Sequence, residues 1–212
     1  MIGVMVPDEN LVTPPAGDPS PGGALPIVEI YAITQLEREL RQCEIVTGLV
    51  QSIYRSETRD AEEIQHPYAI ILAQDCDLLR DYDCGISQKP RPLNGVLVYE
   101  MHPEHVIKQN IAQGKEPLKR LVQNKDERYQ YFEAVPAGLD LCGEGVPSLV
   151  VDFRRYFTIP ADEIYRQLLC SPPIARRRCR VEMPYREHVL CRAAFYMQRV
   201  MLPRQHGERP AC

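Results

Sequence analysis

The stretch His66-Pro67-Tyr68-Ala69-Ile70-Ile71-Leu72-Ala73-Gln74-Asp75-Cys76-Asp77 constrains this chain more than any other. Its apolar run is too short for a free-standing helix and stops abruptly on a thiol set between two carboxylates. Length and β-branched content predict a buried strand over Tyr68–Gln74. A strand that ends on titratable groups fixes them in space, so Asp75, Cys76 and Asp77 are the candidate catalytic residues. If the strand continues, Asp75 and Asp77 share one face and can act as a paired acid and base, or bind a divalent cation with Asp81 or Asp83. Cys76 as a nucleophile needs a histidine base, and like charge from its two neighbours disfavours a thiolate there. The plainer expectation is that Cys76 packs inward while the carboxylates cap the next turn.

Further strands are expected at Glu44–Tyr54, Val96–Glu100, Arg128–Glu133 and Ser148–Ile159. A helical face formed by Ile33, Leu36 and Leu40 precedes the first of these, and residues 55–66 have the look of a hairpin loop. Residues 80–94, with Gly85, Pro90 and Pro92, read as loop. His102-Pro103-Glu104 opens a helix with Val106, Ile107 and Ile111 on its apolar face, and a second piece follows Pro117. Pro160 starts a short helix, and a last one begins near Pro184 and stops before Pro203. Short connections and the absence of βαβ spacing predict an α+β protein, a small, mostly antiparallel barrel-like sheet with helices at its edge. The expected division is an extended or disordered arm over 1–26, a β-barrel-like domain over 27–170 with a helical insertion at 103–123, and a basic linker with a C-terminal helix over 171–212. The arm holds six of the nineteen prolines.

Charge is distributed unevenly. Residues 171–212 carry nine arginines against three glutamates, whereas the preceding 170 residues hold 16 Lys+Arg against 26 Asp+Glu. The cluster Arg176, Arg177, Arg178 and Arg180 therefore either meets an acidic partner or nucleic acid, or folds back on the chain's own carboxylates. Arg128 with Tyr129, and Arg154 with Arg155, set guanidiniums beside aromatics on strands, a pattern that clamps phosphates and stacks bases. The eight cysteines lack the paired spacing of a structural zinc site, so no metal and no cofactor is expected. No window reaches the ~18 apolar residues of a membrane span, and the N-terminus lacks a secretory pattern, so the chain is expected in the cytoplasm without a membrane partner.

Four motifs in order resemble a family of uncharacterised bacterial proteins over roughly residues 43–203. They are Gln74-Asp75-Cys76-Asp77; Glu127-Arg128-Tyr129; Asp152-Phe153-Arg154; and Pro184-Tyr185-Arg186-Glu187-His188. More loosely, Glu44-Ile45-Val46, Pro67–Leu72 and Pro147–Asp152 are similar to strands of the PemK/MazF toxins. That likeness implies an SH3-like barrel and a metal-independent endoribonuclease of a toxin–antitoxin system. Where those toxins carry arginine-proline and a serine or threonine, this chain has His66-Pro67 and Ala73-Gln74, so fold carries over better than catalysis. The leading expectation is a non-catalytic binding or scaffold protein that contacts protein or RNA through Arg128, Tyr129, Arg154, Arg155 and Arg176–Arg178. A toxin-like ribonuclease and a Cys76-dependent hydrolase are the alternatives.

Overall fold

A computed structural model describes residues 29–57, 60–110 and 115–198. The expected arm over 1–26 lies outside them, as do Ile111 and the end of the chain from residue 199. Seven strands, β1 (Tyr31–Ala32), β2 (Glu44–Arg55), β3 (Asp60–Ile71), β4 (Val96–Pro103), β5 (Tyr129–Phe132), β6 (Leu149–Ile159) and β7 (Arg176–Val181), form one antiparallel sheet of order β1-β7-β2-β3-β4-β6-β5. Among the described residues five α-helices accompany it: α1 (Asp75–Ile86), α2 (Glu104–Asn110), α3 (Lys115–Val122), α4 (Ala161–Leu169) and α5 (Tyr185–Met197). None is long and apolar enough to cross a membrane. The fold is thus α+β.

The expected barrel is not closed, because β1 and β5 end the sheet without pairing to each other. Side chains occupy the seam instead. Tyr31 Oη donates to the Glu133 carbonyl at 2.7 Å. Asn124 takes the place of a neighbouring strand beside β5, accepting from Tyr131 N at 2.6 Å and donating to Tyr131 O at 3.2 Å. A filled edge cannot recruit another strand.

The central strands are buried on both faces, which explains their continuous apolar runs. Ile45, Ile70, Tyr99, Met101, Val151 and Phe153 form one core with Val189 and Ala193 of α5. Val46, Leu49, Ala69, Ile71, Val98 and Ile159 face the other way, under Ile164 and Leu168 of α4 and Leu78 of α1. Ile107, Leu121, Tyr129 and Val150 make a third cluster beneath α2 and α3. Each fully buried aliphatic side chain contributes about 1.5–3 kcal/mol, so these layers dominate the fold's stability.

Three expected elements are corrected. Residues 33–40 form no helix, and of the expected apolar face Ile33 and Leu36 are exposed while Leu40 is buried. The carbonyls of Leu36, Arg38 and Glu39 accept from Arg177 rather than from helical amides. Residues 55–66 are not a loop; β2 runs to Arg55 and β3 starts at Asp60, a hairpin whose far part has no layer to bury against and so stays polar. The region expected as loop from residue 80 is helical to Ile86, an acidic helix that buries only Leu78 and Asp81.

Candidate functional site

β3 ends at Ile71, and the chain turns through Leu72–Gln74 into α1. Asp75, Cys76 and Asp77 therefore stand in the first turn of a helix, not on one face of a strand. Carboxylates suit this position because they complement the helix N-terminus. Asp75 also clamps three segments together: it accepts from Gln42 N at 2.7 Å, Arg41 Nε at 3.1 Å and Arg186 Nη1 at 2.8 Å. Partial burial works against its charge, but these hydrogen bonds and cations prevail and hold its proton affinity below the ordinary carboxylate range. Such a group is a structural anion and a poor base. Asp77 is exposed, so the two are not a coupled dyad.

Cys76 lies at the mouth of a cleft of about 600 Å³ whose walls include Leu72, Leu97, Leu190 and Met197. Among the described residues its thiol is in range only of Gln74 Oε1 at 3.6 Å and Asp77 Oδ1 at 3.9 Å, with no imidazole to serve as base. The cation site imagined with Asp81 is also replaced. Asp81 is buried, accepting from Arg91 Nη1 at 2.6 Å and Leu93 N at 3.2 Å.

The basic segment 176–180 is not a linker but strand β7, and its charge points mostly inward. Arg177 and Arg178 are 2% and 6% exposed. Arg177 forks onto Glu44 and also donates to Thr34 Oγ1 and to three backbone carbonyls. Arg178 forks onto Asp140 at 2.8 and 2.7 Å and reaches Gly145 O. Arg176 is exposed near Glu144, and Arg180 pairs with Glu182. Arg177 and Arg178, named from the sequence as partner-binding residues, are thus consumed by the fold.

Arg128, Tyr129 and Arg154, by contrast, are brought together, and a bulge does it, while Arg155 follows Arg154 in the chain and turns to partners of its own. Between Tyr99 and Met101 of β4 the β6 partner jumps from Tyr156 to Val151, so residues 152–155 leave the ladder with β4, while Asp152 still pairs with Tyr129 of β5. Bulges re-aim side chains in this way. Phe153 N bonds to Arg128 O at 3.0 Å, tying the bulge to the start of β5. Arg192 of α5 fixes the same turn, donating to the carbonyls of Asn124, Asp126 and Tyr129 at 2.6–2.7 Å.

At the bulge one buried carboxylate serves two guanidiniums. Asp152, 3% exposed, accepts from Nε and Nη2 of Arg128 and from Nε and Nη2 of Arg154, which are 34% and 54% exposed. Neither Nη1 has a partner among the described residues. Tyr129 lies under Arg128, the guanidinium carbon 4.5 Å from the ring centre. The ring is buried, so it supports Arg128 and offers no free face to a base, contrary to the stacking role expected of it.

Arg155 extends the strip. It reaches Glu100 Oε2 at 3.3 Å, and the same carboxylate meets His102 Nε2 at 3.2 Å and His66 Nδ1 at 3.4 Å. Hydrogen bonds from both imidazoles and Arg155, against a smaller opposing effect of burial, keep Glu100 far below the usual carboxylate range. His66 stacks on Phe157 with ring centres 3.9 Å apart. Sequence reasoning did not single out Glu100, His66 or His102 in this role. The alternation of Glu100 and His102 on one strand face was the signal available. Comparison of the chain with protein-family models, with curated proteins and with solved structures finds no match.

Proposed function

We propose that the protein is a non-catalytic binding module that holds single-stranded RNA by its phosphates across the Arg128–Arg154–Arg155 strip. The observation that carries this reading is the sharing of Asp152 by Arg128 and Arg154. The Nη1 groups of Arg128 and Arg154, unfilled among the described residues, suit phosphate oxygens, and Arg155 adds a third guanidinium. Contacts to phosphates carry no base information, so binding is tolerant of base sequence. The thiol of Cys76 has no imidazole partner among the described residues and Asp75 is held below the ordinary carboxylate range, which favours binding over turnover. A relationship to the SH3-like barrels of PemK/MazF toxins belongs to the same proposal. The antiparallel sheet with a helical insertion supports it, and the unpaired seam between β1 and β5 is where it departs.

The test is fluorescence anisotropy of a labelled 12-residue oligouridine against salt. Three phosphates held would give a slope of log affinity against log salt of about −2. Arg128→Ala/Arg154→Ala should weaken binding about tenfold and flatten that slope. Equal affinity of the double variant removes the strip from consideration. Metal-free cleavage of the RNA, lost in Asp77→Ala, would restore the toxin-like ribonuclease in its place.

A further inference from the structure

The hairpin of β2 and β3 outruns the sheet. β7 pairs with β2 only over Glu44–Thr47, and β4 pairs with β3 only over Tyr68–Ile71. The six pairs from Val50↔Gln65 to Arg55↔Asp60 therefore form a two-stranded ribbon. Such a ribbon is marginal alone and gains from a third strand. At its base the edge is already occupied: the Gln167 amide of α4 accepts from Val50 N at 2.9 Å and donates to Val50 O at 2.7 Å, standing in for a strand. These bonds show that Val50 points its backbone polar groups outward, and by the two-residue period Ser52 and Tyr54 do the same. Beyond Gln167 no described residue meets those groups. Tyr54 is 67% exposed and offers an apolar surface beside the open edge.

Charge selects the occupant. Residues 50–65 carry four carboxylates, Glu57, Asp60, Glu62 and Glu63, against two arginines. A phosphate strand is repelled there, and a second copy of the arm would set like charges side by side. We propose that the outer edge of β2 at Ser52 and Tyr54 docks an extended, lysine- or arginine-bearing segment of a partner protein, which adds as a strand. This inference is independent of the RNA strip, since it uses a different surface of the opposite charge.

The experiment is an amide-resolved NMR titration of the full chain with a capped seven-residue peptide alternating valine and lysine. Shifts confined to amides of residues 50–66 are expected. Tyr54→Pro, which removes an outward N–H together with the exposed ring and leaves the bonds to β3 in place, should weaken binding at least tenfold. Ser52→Pro repeats the test in case the first variant disturbs the hairpin, and a backbone N-methylated peptide repeats it with the protein unchanged. A peptide with glutamate for lysine should leave the spectrum still. No shift, shifts elsewhere, indifference to both prolines and to N-methylation, or equal binding of the glutamate peptide would overturn the proposal. Self-association through the same amides without peptide would overturn it too, naming a second copy as the occupant.

Discussion

Two groups of arginines look alike in the sequence and differ completely in the fold. Arg177 and Arg178 on β7 each have a carboxylate of their own and a set of backbone carbonyls, and both are buried. Arg128 and Arg154 divide one carboxylate and remain partly in solvent. The first arrangement is neutral and closed. The second is cationic and open. A basic cluster therefore says little about binding until each guanidinium is matched with its counter-ion, and the ratio of the two decides whether charge is left for a partner.

The comparison breaks most visibly at Arg177. Arg177→Leu strands Glu44 without its cation in a buried site, and an unfolding free energy lower by about 3–5 kcal/mol is expected from urea denaturation. Arg154→Ala leaves Asp152 paired with Arg128, so its stability change should be no more than about 1 kcal/mol while RNA affinity falls. If the two variants destabilise equally, the distinction between closed and open arginines fails.

Acid sharpens it next. The proton affinity of Asp75 is depressed in the folded state, so its contribution is full above the unfolded carboxylate value of about 3.9 and disappears as pH falls through the lower folded value. The stability gap between the wild type and Asp75→Asn should be widest near neutrality and close below about pH 4, read from denaturation curves across pH. A gap independent of pH would mean that the Arg41–Asp75–Arg186 clamp acts through packing rather than charge.

The smallest expected effect is at the thiols. Burial is the main reason that Cys43 and Cys179 are pushed up to about 12, and they should resist alkylation until the chain unfolds. Cys76 and Cys191 are both exposed and should label at similar rates, followed by mass spectrometry. A Cys76 that reacts far faster would revive the hydrolase reading.

How much of this was legible follows from where each segment buries its side chains. Tyr68–Ile71, Val96–Tyr99 and Leu149–Val151 were readable because both their faces are apolar. The helices after Pro103, Pro160 and Pro184 were readable from their first-turn residues. β7 was hidden: a strand spelled Arg176-Arg177-Arg178-Cys179-Arg180 carries no apolar signature, because ion pairs with Glu44 and Asp140 stand where side-chain burial would. The β2 half of the distal hairpin was read as strand to Tyr54, but its β3 half at 60–66 was hidden for the opposite reason, being largely in solvent. At the site, Arg128, Tyr129, Arg154 and Arg155 could be named from the sequence. Their meeting could not, since it depends on a bulge that breaks the strand period at 152–155.

Asn124 gives the sheet a direction in which it can grow. Its amide uses up both polar groups of Tyr131 on the outer side of β5, and the side chain of Arg192 does the same for Tyr129 O. On that flank the polymer chemistry of β-structure is terminated by two side chains, much as a capped monomer ends a chain reaction. Addition is left to the far hairpin, where β2 and β3 run beyond their pairs with β7 and β4.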